Sequence, residues 1–148
     1  MKTSVRAAAA LFVSLSLCAV SAQARNTQHF FPVQDAIEMG KSHGLGDDIK
    51  FYFGDQRHAP VEQTLAKGII TNKKTHSANK TDQTACNWAM LSALLQLQQA
   101  ARERGGNAVV NIESFYQKIP YRSNDQYECR AGNIMSGVAL RGDVVKLK

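Results

Sequence analysis

The chain has 148 residues, of which 44% are hydrophobic, and its 18 Lys and Arg against 12 Asp and Glu give a formal net charge of +6. So mild a basic excess excludes a nucleic-acid-binding composition. The length is that of one domain with a real core.

The first predicted element is a secretory signal peptide. Lys2 and Arg6 precede an uncharged stretch from Ala7 to Val20, and small residues follow, ending in Ala22-Gln23-Ala24. A membrane-spanning helix needs roughly 20 apolar residues. This core is shorter and runs into a small-x-small pattern, so cleavage after Ala24 is expected in place of anchoring. The competing route, cleavage before a lipidated Cys18, wants a small side chain where Leu17 stands. Removing residues 1–24 takes two cations and no acid, which leaves a single domain, 25–148, with net charge +4 and no second hydrophobic span.

Arg25 to Phe31 reads as a tail. Pro32 then opens "PVQDAIEMGKSHG", where Val33, Ala36 and Ile37 fall at helical spacing and Gly40 or Gly44 can end the turn. In "IKFYF" the period of two predicts a strand ending at Phe53, and Gly54 to Pro60 supply turn signals. A second strand is expected over part of Val61 to Thr71, interrupted at Lys67-Gly68, and the polar run from Asn72 to Thr81 reads as an exposed loop. Thr81, Asp82 or Thr84 can cap the next helix. There Cys86, Ala89, Met90, Ala93, Leu94, Leu97, Ala100 and Ala101 recur at three- and four-residue steps until Gly105-Gly106. This is the principal helix, about 28 Å long, and its alanines predict close packing on a sheet.

Beyond the glycines, Ala108, Val110, Ile112 and Tyr116 alternate with Asn111, Glu113 and Gln117, as in a half-buried strand. "PYRSND" makes a loop. The return strand carries Tyr127 and Cys129 on one face, then Ile134, Val138 and Leu140 at opposite parity, which predicts a β-bulge at Gly132-Asn133. Gly142-Asp143 should turn into a last short strand, Val144 to Leu147. The expected class is therefore α+β, a small and mostly antiparallel sheet packed against one long helix.

With Cys18 in the signal, Cys86 and Cys129 remain. In an exported chain a disulfide is the expected state, worth about 4 kcal/mol for the loop it closes. The rival reading is a pair of separate reactive thiols. No catalytic motif emerges. Gly40-Lys41-Ser42 is the tail of a phosphate-binding loop, but Asp35 stands where that loop needs glycine. Ser42 beside His43 and Ser77 beside His76 lack a glycine-flanked elbow. His43, Asp47 and Asp48 form the densest set of metal-ligating types, against the simpler reading of exposed loop residues. Lys73, Lys74, Lys80 and His76 make one short basic patch, either a solvated loop or a contact for an anionic surface. Trp88 reads as a core residue or a surface anchor.

The segments "GGNAVVNIESFYQ" and "YECRAGNIMSGVALRG" resemble the outer-membrane Rcs stress-sensor lipoprotein and the related YbjQ-like small domains, over roughly Cys86 to Leu140. That resemblance implies that Cys86, ahead of the helix, bridges Cys129 on the last hairpin; the lipoprotein's second bridge has no counterpart here. Over the mature length, "KFYFG", "TNKKT", "ACNWAMLSAL" and "ECRAGNIMSGVALRGDVVKL" are similar to a group of small exported bacterial proteins that carry the label "excinuclease ATPase subunit". An ATPase needs a complete phosphate loop, and this chain lacks one.

The expected protein is a periplasmic or secreted, non-enzymatic binding or interaction module of the cell envelope. Its expected partner is an envelope protein, docked at an exposed sheet edge, with no nucleic acid, no cofactor and no transmembrane segment after signal cleavage. The alternative is a periplasmic ligand- or metal-binding protein using His43, Asp47 and Asp48 or the groove between helix and sheet.

Overall fold

A computed structural model describes residues 24–148; the expected signal peptide and Cys18 lie outside the described residues. The elements are β1 (Thr27–Pro32), α1 (Val33–Lys41), β2 (Lys50–Phe53), β3 (Val61–His76), α2 (Asp82–Glu103), β4 (Ala108–Ser114), a 3-10 turn (Tyr116–Lys118), β5 (Gln126–Ala131) and β6 (Met135–Leu147). All six strands form one sheet around β6. Along one side β6 pairs antiparallel with β3. Its other side is shared, with β5 bonded to its first residues and β4 to its second half, both antiparallel. Beyond β5 lies β1, antiparallel, and beyond β4 lies β2, parallel. The class is mixed α/β with two helices, one disulfide and a mixed sheet. The parallel pair follows from chain order, because β3 and α2 intervene between β2 and β4 and supply the crossover that parallel strands require.

The α2 helix starts and stops where its side chains dictate. Thr81 is the N-cap, its hydroxyl accepting from the Thr84 N–H at 3.2 Å. At the far end Gly105 takes the left-handed conformation, φ +71°, and the Gly105 and Gly106 N–H groups donate back to the Arg102 and Ala101 carbonyls. Ala89, Met90, Ala93, Leu94, Leu97 and Ala101 are fully buried against the sheet. Each leucine so buried contributes about 2 kcal/mol, and the alanines bring the helix axis close to the strands. Gly40 does the same for α1: a Cβ there would lie 2.8 Å from Leu91 Cδ1 and 2.9 Å from Leu45 Cβ.

Cys86 and Cys129 are disulfide-bonded, both fully buried, with Cα atoms 5.9 Å apart. The bridge ties the start of α2 to β5.

Six sequence expectations give way to the tertiary structure. The tail is a strand, β1, paired with β5 from Thr27↔Ala131 to Pro32↔Gln126. The polar run expected as a loop continues β3 to His76, because β6 offers it a backbone ladder up to His76↔Met135. Lys67-Gly68 does not interrupt that strand; it falls in a register shift between Ala66 and Ile69. In β4 the faces exchange at Asn111, whose φ of +54° makes a bulge. Val109 and Ile112 therefore join the helix-side core, while Ala108 and Val110 pack with Val145 and Leu147 on the opposite face. The parity switch at Gly132-Asn133 marks a chain reversal between β5 and β6, closed by Gly132 N–H to Met135 O, and Gly142-Asp143 lies within an unbroken β6.

The tail becomes a strand with help from α2. Asp82 accepts hydrogen bonds from Arg25 and from His29 Nε2, the latter at 2.8 Å. The Arg25 hydrogen bond, seconded by His29 and by both charges, holds the Asp82 carboxyl below the usual carboxylate range against the opposing effect of desolvation. A depressed folded-state pKa gives stability that is complete above the unfolded value of 3.8 and is lost as pH falls through the folded value. Acid should therefore loosen β1 first. Protection of the His29 and Phe31 amides, which face β5, taken relative to intrinsic exchange rates, is expected to fall between pH 5 and about pH 2; in Asp82→Asn it should be low throughout and lose its acid dependence.

Candidate functional site

The sequence candidates do not converge. His43 Nδ1 donates to the Met39 carbonyl at 2.8 Å, lies 3.0 Å from Ser42 Oγ, and sets its ring edge-on to Trp88. Asp48 is taken by Arg102, which donates to its two oxygens at 2.7 and 2.6 Å and holds its carboxyl below the usual range. Asp47 stays exposed. Among the described residues no group of three or more His, Cys, Asp or Glu comes together, so His43, Asp47 and Asp48 do not assemble as a metal site. Trp88 is half-buried, serving as a wall for His43 rather than as a free anchor.

Gly40-Lys41-Ser42 lies at the C-terminal end of α1. A phosphate loop needs the N-terminal end, where N–H groups and the positive pole of the helix dipole face the anion. Ser77 Oγ hydrogen-bonds Ser136 Oγ at 2.6 Å in a buried pair, while its neighbour His76 is exposed. Lys80 Nζ donates to the His76 carbonyl. Lys73 and Lys74, adjacent in sequence, project to opposite faces of β3.

What the fold does assemble is a groove between α1 and β2. The β2 strand bonds to β4 along one side and ends the sheet on the other. The Lys50 and Gly54 N–H groups donate toward β4, to the Asn107 and Ile112 carbonyls. Alternation along the strand turns the Phe51 and Phe53 N–H groups outward. Phe53 is capped by Gln56 Oε1 at 2.8 Å. The Phe51 N–H is left at the open edge.

Two adjoining recesses flank this edge. One, of about 230 Å³, is bounded by Ile37 and Lys41 of α1, Leu45, and the four consecutive residues Ile49 to Tyr52. Consecutive residues project to alternating faces, so a recess touching four of them runs along the strand edge. The second, of about 210 Å³, continues past Ile37 and Phe51 to Gln34, Gln56 and Asn124. Ile37 and Phe51 form the shared apolar floor. Lys41, Lys50 and Asp47 stand at one end, with Lys41 paired to Glu38, and Asp125 stands at the other, so the first end carries mixed charge and the second is negative.

The α1 helix is kept off β2 by its anchors. Val33 N–H donates to the Asp125 carbonyl, and Gln98 on α2 clamps the following loop by accepting from Gly46 N–H and donating to the Gly44 carbonyl. The sequence pointed to an exposed sheet edge and a groove between helix and sheet without placing either at α1 and β2. The signal for that place was the bare strand "KFYF" between two turn-rich stretches, which marks a short edge strand.

No protein-family model, no curated protein and no solved structure matches this chain. Among the described residues no helix is long and apolar enough to cross a membrane.

Proposed function

We propose that this chain is an exported, non-enzymatic interaction module of the cell envelope that receives an extended segment of a partner protein along β2. The open edge beside a continuous apolar groove carries the reading. Backbone groups of a partner strand would pair with β2, and two alternate side chains would enter the two recesses, the division of labour by which added strands gain affinity and specificity. Asp125 at the second end favours an apolar segment that carries a cation there. A disulfide is at home in an oxidising compartment, which supports export to the periplasm or beyond. The resemblance of Cys86 to Leu140 to the Rcs stress-sensor lipoprotein supports a role as an adaptor of that kind.

The test places a photo-crosslinking residue at Lys50 and, separately, at Lys67 on the far edge of the sheet, in cells that export the protein. A partner segment captured from position 50 is then synthesised and titrated against the purified protein. It should protect the Phe51 amide from exchange, and Ile37→Gln should weaken its binding about tenfold by removing apolar floor. Equal capture from both positions, or a bound peptide that leaves Phe51 unprotected, would overturn the proposal.

A further inference from the structure

On the sheet face away from α2, three strands place two cations on either side of a glycine. Lys74 of β3 is the register partner of Gly137 of β6, and Gly137 is also the partner of Arg130 of β5. Cross-strand partners project to the same face. With strands about 4.8 Å apart, the Lys74 and Arg130 backbones stand about 10 Å from each other, and the strand position between them, Gly137, has no side chain of its own but lies under the edge of the Tyr116 ring.

Beside Gly137 opens a recess of about 150 Å³, with Arg25, Tyr116 and Met135 among its walls and, among the described residues, no carboxylate in its lining. Arg130 is oriented from behind, donating to Glu128 at 2.8 Å while its guanidinium lies over the Tyr116 ring, 5.2 Å from the centroid. Gln117 and Lys118, both left-handed at φ +52° and +64°, fold the turn that carries Tyr116 back over β6. Two consecutive non-glycine residues in that region cost stability. Among the described residues Lys74 joins no ion pair, so one cation of the notch is uncommitted.

The glycine itself is not demanded by packing. A Cβ at Gly137 would sit 3.5 Å from Lys74 Cγ and 4.0 Å from the Tyr116 ring, ordinary contact distances. At Gly142, by contrast, a Cβ would meet Val109 Cγ1 at 2.9 Å, so close packing explains that one. A strand-interior glycine that the fold could replace weakens its strand, and here it keeps the floor of the recess low beneath Lys74 and Tyr116.

We infer that the Lys74–Gly137–Arg130 notch is a binding site for a small phosphate-type oxyanion. Its recess is of the right order for such a group, its two cations lie on opposite sides of the space, and the uncommitted Lys74 gives a bound anion a charge-assisted hydrogen bond while Arg130, held by Glu128, faces it from the other side. Tyr116 and Met135 give it an apolar wall, suited to the carbon portion of a phosphate ester. The site is independent of the β2 groove.

Inorganic phosphate is titrated at low ionic strength into isotope-labelled protein, with the Ser136 and Gly137 amides observed by NMR. Saturable shifts are expected there. Lys74→Gln should weaken binding about tenfold, the worth of one charge-assisted hydrogen bond, and Gly137→Val should abolish it by filling the notch. Gly137→Ala, whose added methyl is in ordinary contact, is the folded control and should weaken binding less than valine does. Lys73→Gln, on the opposite face, should bind as the parent does. Failure of the amides to saturate, or equal weakening by Lys73→Gln and Lys74→Gln, would overturn the site by reducing it to diffuse attraction. Vesicles of phosphatidylglycerol distinguish the source of the ligand. Vesicle binding lost in Lys74→Gln assigns the notch to a lipid headgroup, and phosphate binding without vesicle binding assigns it to a soluble phosphate.

Discussion

Replacing Cys86 and Cys129 together by alanine should lower the melting temperature by about 15 °C, the equivalent of about 4 kcal/mol in a domain of this size. The bridge spans a sequence separation of 43 residues, so its loss frees a long loop in the unfolded chain. That loop contains nearly all of α2 and the whole of β4. Both sulfurs are sealed from solvent, so alanine is the cleaner substitution; serine would also bury two hydroxyls without assured partners and cost more. Calorimetry on the parent, with and without reductant, supplies the matching comparison. An unchanged melting temperature in both experiments would refute the scaffolding role and return the cysteines to the reading of separate thiols.

A nearly equal loss should follow from one methyl group at Gly54. This residue ends β2 with φ +56°, and a Cβ on it would lie 2.3 Å from Asn124 Oδ1 and 2.9 Å from the Ser123 carbonyl carbon and oxygen. The flexible Asn124 side chain can move, but the Ser123 backbone cannot do so cheaply. Backbone strain and overpacking together set the cost of Gly54→Ala at about 3 kcal/mol. Gly68 separates the two contributions. It has nearly the same conformation, φ +63°, with open space where a Cβ would go, so Gly68→Ala should cost only about 1 kcal/mol. The Gly54 change also reaches the groove. Asn124 accepts from the Asp55 N–H and, through its carbonyl, from Gln56 Nε2, and it walls the second recess. Unfolding free energies from denaturant titration of the two variants should therefore differ by about 2 kcal/mol, and only Gly54→Ala should weaken peptide docking at β2. Equal losses at the two glycines would mean that the Ser123 contact is not tight.

The elements legible in the sequence were those whose stabilising partners are local. The α2 helix announces itself because its buried stripe, its capping threonine and its terminating glycines all lie within one segment. The short α1 helix is legible for the same reason, and β2 is legible because its alternation and its bounding turns lie in one segment, although its backbone partner β4 is distant. Elements held by distant backbone partners without such local signals were not. "NKKTH" contains nothing apolar, yet it is strand because β6 pairs with it residue for residue. "TQHFFP" is strand because of β5 and the reach of Asp82. The bulge at Asn111 had a signal that alternation alone passes over, since asparagine is among the few residues that tolerate a left-handed backbone.

The parity switch at Gly132-Asn133 was visible, but a chain reversal and a bulge produce the same change of face in the sequence. Of the candidate site, the strand expected over Ile49 to Phe53 is present from Lys50 to Phe53. Its role as a sheet edge depends on strand order, which no local pattern carries. The dispersal of His43, Asp47 and Asp48 was equally hidden, because proximity along the chain says nothing of Arg102, which claims Asp48 from 54 residues away.

The position of β6 at the centre of the sheet also orders events during synthesis. Every strand that β6 joins directly leaves the ribosome before it, so β3, β4 and β5 must wait with unsatisfied edges until residues 135–147 arrive. Helical segments can form early, but the sheet has no spine to gather on, and most of its pairings are long-range ones of the slow-forming kind. The nascent chain is thereby held open until its late strand is delivered. In that state a polypeptide can still be threaded through a narrow pore, and its two cysteines can still be kept apart.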